Sequence, residues 1–302
     1  MTEIIGLVGL GAMGLPLGKR ILASWRDLVI LPHRNRTPAE ELAALGARVA
    51  STPEEVARDC DLVITSLPDV PHVREVLFGQ YGLASSPRDG LLYIDMSTIT
   101  PSAASEFHAR LAECGVDMLD APVSGGPMRA ADGSLTIMVG GSAEVFQRAR
   151  PILEVLGKNI THVGGPGTGQ AVKLVNQLII SSIMVANAEA LSLGVKAGVP
   201  LETLLQVIST SSGSNYLMQN WLPRTLFSGD LQNGFALDLL MKDLNAALQW
   251  AGELGAPAFA GALAQQLYRT IKASEDDVGR LDYSVVARLY EDANGVQLRL
   301  PQ

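Results

Sequence analysis

The chain has 302 residues, room for one large domain or two ordinary ones, and its 47% hydrophobic content excludes disorder. A net charge of −8 with no basic run argues against nucleic acid or an anionic membrane surface as partner. No charged-then-apolar signal pattern opens the chain, polar residues (Asn176, Gln177, Asn187, Glu189) interrupt the best candidate membrane span, and Cys60 and Cys114 form no disulfide framework, so a cytoplasmic protein with ordinary thiols is expected.

Ile4 to Val8 read as a strand, followed at once by Gly9-Leu10-Gly11-Ala12-Met13-Gly14 and a helix with Leu17, Ile21 and Leu22 on one face. In a nucleotide-binding βαβ unit the first glycine makes the tight turn and the second lets the backbone approach a pyrophosphate. The third lets helix and strand pack closely, with the helix N-terminus toward the phosphates. A glycine-rich turn without a ligand is the alternative, and position at the start of an α/β pattern favours the nucleotide.

Leu28 to Leu31 form a second strand, and its end carries His33-Arg34-Asn35-Arg36-Thr37. An acidic residue there would grip a ribose 2′-hydroxyl, whereas arginine accommodates a 2′-phosphate. With two arginines and no carboxylate before Glu40, the expected cofactor is NADP, with NAD also possible, Arg36 being the main phosphate contact and Arg34 the second. A solvated loop is the alternative. Helices at Ala39–Leu45, Pro53–Asp59 and Val70–Leu77 alternate with strands at Val49, Leu62–Thr65 and Leu91–Ile94, and Pro101 opens a helix through Glu113. Alternation of this kind implies a parallel sheet covered on both faces, with ligands beyond the carboxyl ends of its strands. Segments 9–14, 34–37, 65–69 and 96–98 all follow strands and should line one crevice.

A strand at Asp117–Ala121 leads to Pro122-Val123-Ser124-Gly125-Gly126, either an ordinary turn or a nest of N–H groups suited to a carboxylate. Strands at Leu135–Val139 and Ile160–Val163 flank a helix from Ala143 to Leu156, and the α/β pattern ends at Gly164. Everything after Gly169 reads as helix: 169–196, 201–210, 214–228, 234–255, 257–276 and 282–294. The first of these is apolar nearly all round and would be about 40 Å long, enough to reach a partner subunit. Gln170, Lys173, Asn176 and Gln177 share one face near its start. A buried Lys173 would be a proton shuttle, and a lysine snorkelling to water is the alternative. Lys242-Asp243 interrupts a later apolar face, as a solvated pair also would.

Four stretches together resemble the β-hydroxyacid dehydrogenase family: Gly9 to Gly14, Asp120 to Gly126, Gly164 to Asn176, and Lys242-Asp243-Leu244. Their order and spacing match across nearly the whole chain. The resemblance implies an α/β Rossmann-type domain (residues 1–163) and an all-α domain (164–302) joined by a long interdomain helix. It makes Lys173 the catalytic lysine and Asn176 its substrate-orienting neighbour. Ser124, Gly125 and Gly126 would hold the substrate carboxylate, and Lys242 would complete the active site. Thr98 would sit by the nicotinamide, Leu67 and Pro68 along the cofactor, and Phe235 and Asp243 near the substrate. Asn35, Arg36 and Thr37 would contact the cofactor. The segment before Asn35 is slightly longer than the family's usual connection, and Ser211 to Tyr216 match only loosely.

The implied reaction is hydride transfer between nicotinamide and a short 3-hydroxy acid or its semialdehyde, with Lys173 as general acid/base. The scattered histidines (His33, His72, His108, His162) have no ligand spacing, so no metal is expected. A homodimer or homotetramer is expected. Competing readings are an imine reductase-like enzyme, which typically carries another residue at the Lys173 position, and a non-catalytic NADP-binding scaffold.

Overall fold

The computed structural model describes residues 3–24 and 27–300. The chain divides into two compact units, residues 1–174 and 175–302. The boundary expected from sequence lay at 163/164. The observed division falls inside a continuous helix, because the first turns of that helix are hydrogen-bonded to the sheet of the first unit.

In the first unit β1 (Ile5–Val8), β2 (Leu28–Leu31), β3 (Arg48–Val49), β4 (Leu62–Thr65), β5 (Leu92–Asp95) and β6 (Asp117–Asp120) run parallel in the order β3-β2-β1-β4-β5-β6. This is the doubly wound order of dinucleotide-binding sheets. Beyond β6 lie β7 (Val123–Ser124) and β8 (Leu135–Gly140), which pair antiparallel, and β9 (Gly157–Gly164), which runs parallel to β8. The helices are α1 (Gly14–Ser24), α2 (Thr37–Ala44), α3 (Pro53–Asp59), α4 (Val70–Phe78), α5 (Pro101–Glu113), α6 (Gly126–Asp132) and α7 (Ala143–Leu156).

Strand alternation divides the apolar side chains between two cores. Ile5, Leu7, Leu28, Ile30, Leu62 and Ile64 meet Leu17, Ile21, Leu42 and Ile152 on one face. Val8, Val29, Val63 and Tyr93 meet Val56, Val73, Leu77 and Phe107 on the other. Period-two strands buried on both faces must read as continuous apolar runs, and they do. Helix starts follow local chemistry: Thr52, Asp69, Thr100 and Ser142 each accept a backbone N–H three residues on. The short β7 lies within Pro122 to Gly126, where the sequence suggests a turn or a nest, and α6 adds a helix that the sequence does not signal.

The long helix α8 (Thr168–Lys196) is followed by α9 (Leu201–Ser209), α10 (Leu237–Glu253), α11 (Phe259–Ser274) and α12 (Ala287–Asn294). The expected helix 214–228 is instead one wide turn at Leu217–Trp221 and a tight one at Leu222–Arg224. Pro223 has no N–H to offer a regular ladder, and the Asn215 side chain bonds Asn187 and the Met218 N–H. Likewise 282–294 begins as a tight turn, Tyr283–Val286, before α12.

Helix α8 is not buried all round. Gln170, Leu174, Ser181, Met184 and Ala188 are fully buried, whereas Val172, Val175, Ile179 and Leu193 are 41–64% exposed. An 18-residue window of it has mean hydropathy 1.7 and is only 39% buried, so by length and composition alone the helix is long and apolar enough to cross a membrane.

Candidate functional site

The parallel order sets the loops after β2, β1, β4, β5 and β6 side by side along one sheet edge, as expected of segments 9–14, 34–37, 65–69 and 96–98. In the first of them the three glycines have different reasons to be glycine. Gly9 has φ +95°, and a Cβ there would stand 2.2 Å from the Ser66 carbonyl oxygen. At Gly14 a Cβ would stand 1.7 Å from the Gly9 carbonyl oxygen, so the helix could not approach the strand. A Cβ on Gly11, in contrast, would meet no atom within 4 Å. Leu10 and Met13 pack against the core while Ala12 is exposed. Gly11 therefore serves no packing need, and the bare backbone beside it suits a dinucleotide's pyrophosphate. At the end of β2, Arg34, Asn35, Arg36 and Thr37 are all exposed, and the Asn35 side chain accepts the Thr37 N–H.

After β4 and β5 the sheet edge holds a buried polar cluster. Thr65 Oγ1 donates to Asp95 Oδ1 at 2.8 Å, which leaves Tyr93 as donor in its 2.6 Å bond to Thr65. Asp95 also accepts the Ser97 N–H, and Ser97 Oγ accepts the Leu67 N–H at 2.8 Å. The loops bearing Leu67 and Thr98 are thus tied to one carboxylate. Burial pushes the Asp95 carboxyl above its usual range, and the neighbouring Asp120 charge adds to this. Among the described residues, Asp95 Oδ2 has no hydrogen-bond partner. Thr98 is half-buried between buried neighbours, Leu67 is half-buried and Pro68 is exposed.

Asp120, at the end of β6, clamps the start of α8. Its Oδ1 accepts the Gly167 N–H at 2.8 Å and its Oδ2 the Gln170 N–H at 3.0 Å, placing a carboxylate at the positive end of the helix. His108 Nε2 lies 3.2 Å from Oδ1. The glycine run before α8 follows from this closeness: Gly167 has φ +82°, and a Cβ on Gly169 would lie 2.6 Å from the Asp120 carbonyl oxygen. Gln170 is fully buried, and its amide reaches the loop after β5, accepting from the Ile99 N–H and donating to the Ser97 carbonyl. Lys173 follows and is 7% exposed, too enclosed for a lysine snorkelling to water. In the segment Ser124-Gly125-Gly126, all half-buried, the two glycines have φ +133° and +70°. Positive φ at both positions is a backbone that glycine takes without strain.

In the second unit a polar chain links predicted residues. Asn176 Nδ2 donates to Gln177 Oε1 at 3.0 Å, and Gln177 Nε2 donates to Asp243 Oδ2 at 2.8 Å. Lys242 Nζ stands 2.9 Å from Asp243 Oδ1. Asp243 is 3% exposed and Gln177 2%, so the carboxylate is an internal partner of Gln177 and Lys242. Phe235 is half-buried, edge-on to Tyr283, and its backbone N–H donates to Asp282. Asp282 also accepts from Trp221 Nε1 and the Ser284 N–H, and burial raises its pKa. Ser97 falls in the expected segment 96–98 and Gln170 on the expected polar face of the helix, whereas Asp95 in the first unit and Asp282 in the second carry no local signal in the sequence. Gln170 and Gln177 were legible only as polar residues on an apolar helix. Among the described residues, no three His, Cys, Asp or Glu side chains gather as metal ligands would. Burial pushes the Cys60 thiol up to about 12, away from reactive thiolate.

Residues 4–164 match the model described as the NAD binding domain of 6-phosphogluconate dehydrogenase. Residues 167–290 match the model described as the NAD-binding of NADP-dependent 3-hydroxyisobutyrate dehydrogenase. The chain is 40% identical to 2-(hydroxymethyl)glutarate dehydrogenase of Eubacterium barkeri over 97% of both chains. It is 37% identical to 2-hydroxy-3-oxopropionate reductase of Escherichia coli over 95% of this chain and 97% of that one. A Mycobacterium tuberculosis 3-hydroxyisobutyrate dehydrogenase structure with L-serine superposes with TM-score 0.88 at 33% identity, covering 96% of this chain and 99% of that one. Likeness to the imine reductase of Myxococcus stipitatus, at 21% identity and TM-score 0.63, extends to the fold alone. With two of the three turn glycines required by close backbone contacts and the third open to a dinucleotide, and with relatives of this kind matched over nearly their whole length, the chain belongs to the β-hydroxyacid dehydrogenase family of nicotinamide-dependent oxidoreductases.

Proposed function

We propose that the enzyme interconverts a short, carboxylate-bearing 3-hydroxy acid and its semialdehyde, with NADP as the preferred cofactor and Lys173 as general acid/base. The observation that carries this reading is the enclosed Lys173, 7% exposed, one turn beyond a helix start clamped by Asp120. The absence of a carboxylate in His33-Arg34-Asn35-Arg36-Thr37 supports the choice of NADP.

Bound nicotinamide would supply the hydride chemistry. The chain's own work is orientation and proton transfer. In oxidation Lys173 Nζ takes the substrate hydroxyl proton, and in reduction it returns a proton to the nascent alkoxide oxygen. The N–H groups of Gly125 and Gly126 with the Ser124 hydroxyl hold the substrate carboxylate. Asn176 orients substrate, Lys242 adds positive charge, and Asp243 fixes Lys242 and, through Gln177, Asn176. Phe235 shapes the apolar side of the substrate. Gly9 to Gly14, Asn35 to Thr37, Leu67, Pro68, Thr98 and Lys242 contact the cofactor.

The exposed stripe Val172, Val175, Ile179 and Leu193 supports a homo-oligomer formed through α8. A sedimentation run showing only monomer at micromolar concentration overturns that assembly, and flotation with lipid vesicles would assign the stripe to a membrane instead.

The deciding assay follows NADPH absorbance with glyoxylate, succinic semialdehyde, tartronate semialdehyde and methylmalonate semialdehyde, with NADH in parallel and one cyclic imine as control. Turnover of a semialdehyde with NADPH preferred is expected. Lys173→Ala should lose about 10² to 10⁴ in kcat with cofactor affinity nearly intact. A loss below about tenfold refutes the acid/base role.

A further inference from the structure

Gln170 makes an unusual pair of contacts for a helix residue. Its side chain is fully buried, and both ends of its amide are used on one loop. Nε2 donates to the Ser97 carbonyl at 2.8 Å and Oε1 accepts the Ile99 N–H at 3.1 Å. Those two backbone groups flank Thr98, so the amide fixes that residue's backbone from both sides. The backbone N–H of Gln170 is itself held by Asp120 Oδ2 at 3.0 Å. Lys173 lies three residues on, about 4.5 Å along the helix axis and on the same face. Both residues and the loop belong to the first compact unit. Side chain and backbone of one residue therefore tie the helix carrying Lys173 to the loop carrying Thr98 and to the end of β6.

We propose that Gln170 is a positioning residue for hydride and proton transfer, setting Thr98 and Lys173 in fixed register. The inference rests on the acid/base reading of Lys173 and the nicotinamide-side reading of Thr98. Misplacement by about 1 Å can cost about 10²-fold in rate, so register held by two hydrogen bonds bears on kcat more than on binding.

The test compares Gln170→Leu and Gln170→Glu with native enzyme, reading kcat, KM for NADPH, the isotope effect with 4-deuterated NADPH, and melting temperature. Gln170→Leu should lower kcat by about 10- to 100-fold and change KM for NADPH less than about threefold, with a larger isotope effect. Gln170→Glu supplies a pH signature that a packing role would not produce. Protonated, the acid has one O–H donor and one carbonyl acceptor, matching the amide; ionised, it turns negative charge on the Ser97 carbonyl beside Asp120. Its kcat relative to native should therefore rise as pH falls. Native kcat in Gln170→Leu despite a lowered melting temperature overturns the proposal. If Gln170→Leu does not fold, a pH-independent kcat ratio for Gln170→Glu overturns it. Lys173→Ala measured alongside separates the two ideas. Full turnover there refutes the acid/base reading, whereas silence there with native kcat in Gln170→Leu refutes only the positioning role.

Discussion

Gly11 and Gly14 stand three residues apart in one turn, yet a single methyl group should affect them in opposite ways. At Gly14 the added Cβ would lie 1.7 Å from the Gly9 carbonyl oxygen, where ordinary contact begins near 3.4 Å. The obstacle is backbone, so α1 or the turn must shift by about 1.5 Å, with a cost at or above the 1–3 kcal/mol typical of overpacking. Gly14→Ala should therefore lower the melting temperature of the cofactor-free protein by several degrees, at about 2–4 °C per kcal/mol. At Gly11 the Cβ meets nothing within 4 Å and φ is not positive, so the fold bears no cost. Restricting the unfolded chain should even add about 0.4–1 kcal/mol. The methyl nevertheless occupies the bare surface assigned to the pyrophosphate, and a tenfold weaker dinucleotide affinity, about 1.4 kcal/mol, is expected. Thermal melts without cofactor and fluorescence titrations with NADPH read the two effects separately. Native NADPH affinity in Gly11→Ala would refute the assignment of this turn to the pyrophosphate, whatever happens at Gly14.

Arg36→Ala should weaken NADPH binding by about 10- to 150-fold, the range of about 1.5–3 kcal/mol for a hydrogen bond to a charged group, and leave NADH unchanged. Equal losses for both cofactors, measured by titration, would remove Arg36 from the 2′-phosphate. Asp243→Leu takes away the carboxylate that accepts from the 2%-exposed Gln177, and chemical denaturation should show a loss of about 1–3 kcal/mol. An unchanged midpoint counts against an internal role for Asp243. Asp95, its pKa raised mainly by burial, favours the folded state fully below the unfolded value near 3.8, and that contribution is lost as pH rises through the raised value. Asp95→Asn does not titrate, so its stability relative to native should improve across that window as pH increases. A pH-independent difference in denaturation midpoint would refute the raised pKa.

What the amino-acid sequence by itself determined is whatever rests on neighbours in the chain. Strand runs such as Leu62 to Thr65, caps such as Thr52 and Asp69, and the closeness of Gly14 to the Gly9 carbonyl are local in origin, because periodicity and turn chemistry are properties of consecutive residues. The same holds for Lys173 and Asn176, whose helical spacing puts them on neighbouring surface. Local patterning failed at 214–228, where apolar spacing reads as helix but Pro223 and the Asn215–Asn187 bonds prevail. Only the tertiary structure decided which polar groups meet. Asp120 finds Gly167 and Gln170 across 47 and 50 residues, Thr65 finds Asp95 across 30, and Gln177 finds Asp243 across 66. It also decided that α8 keeps one apolar face exposed while Gln170 and Lys173 turn inward. These pairings depend on strand order and on the rotation of each helix about its axis, quantities that packing of the whole chain selects and that no short stretch contains.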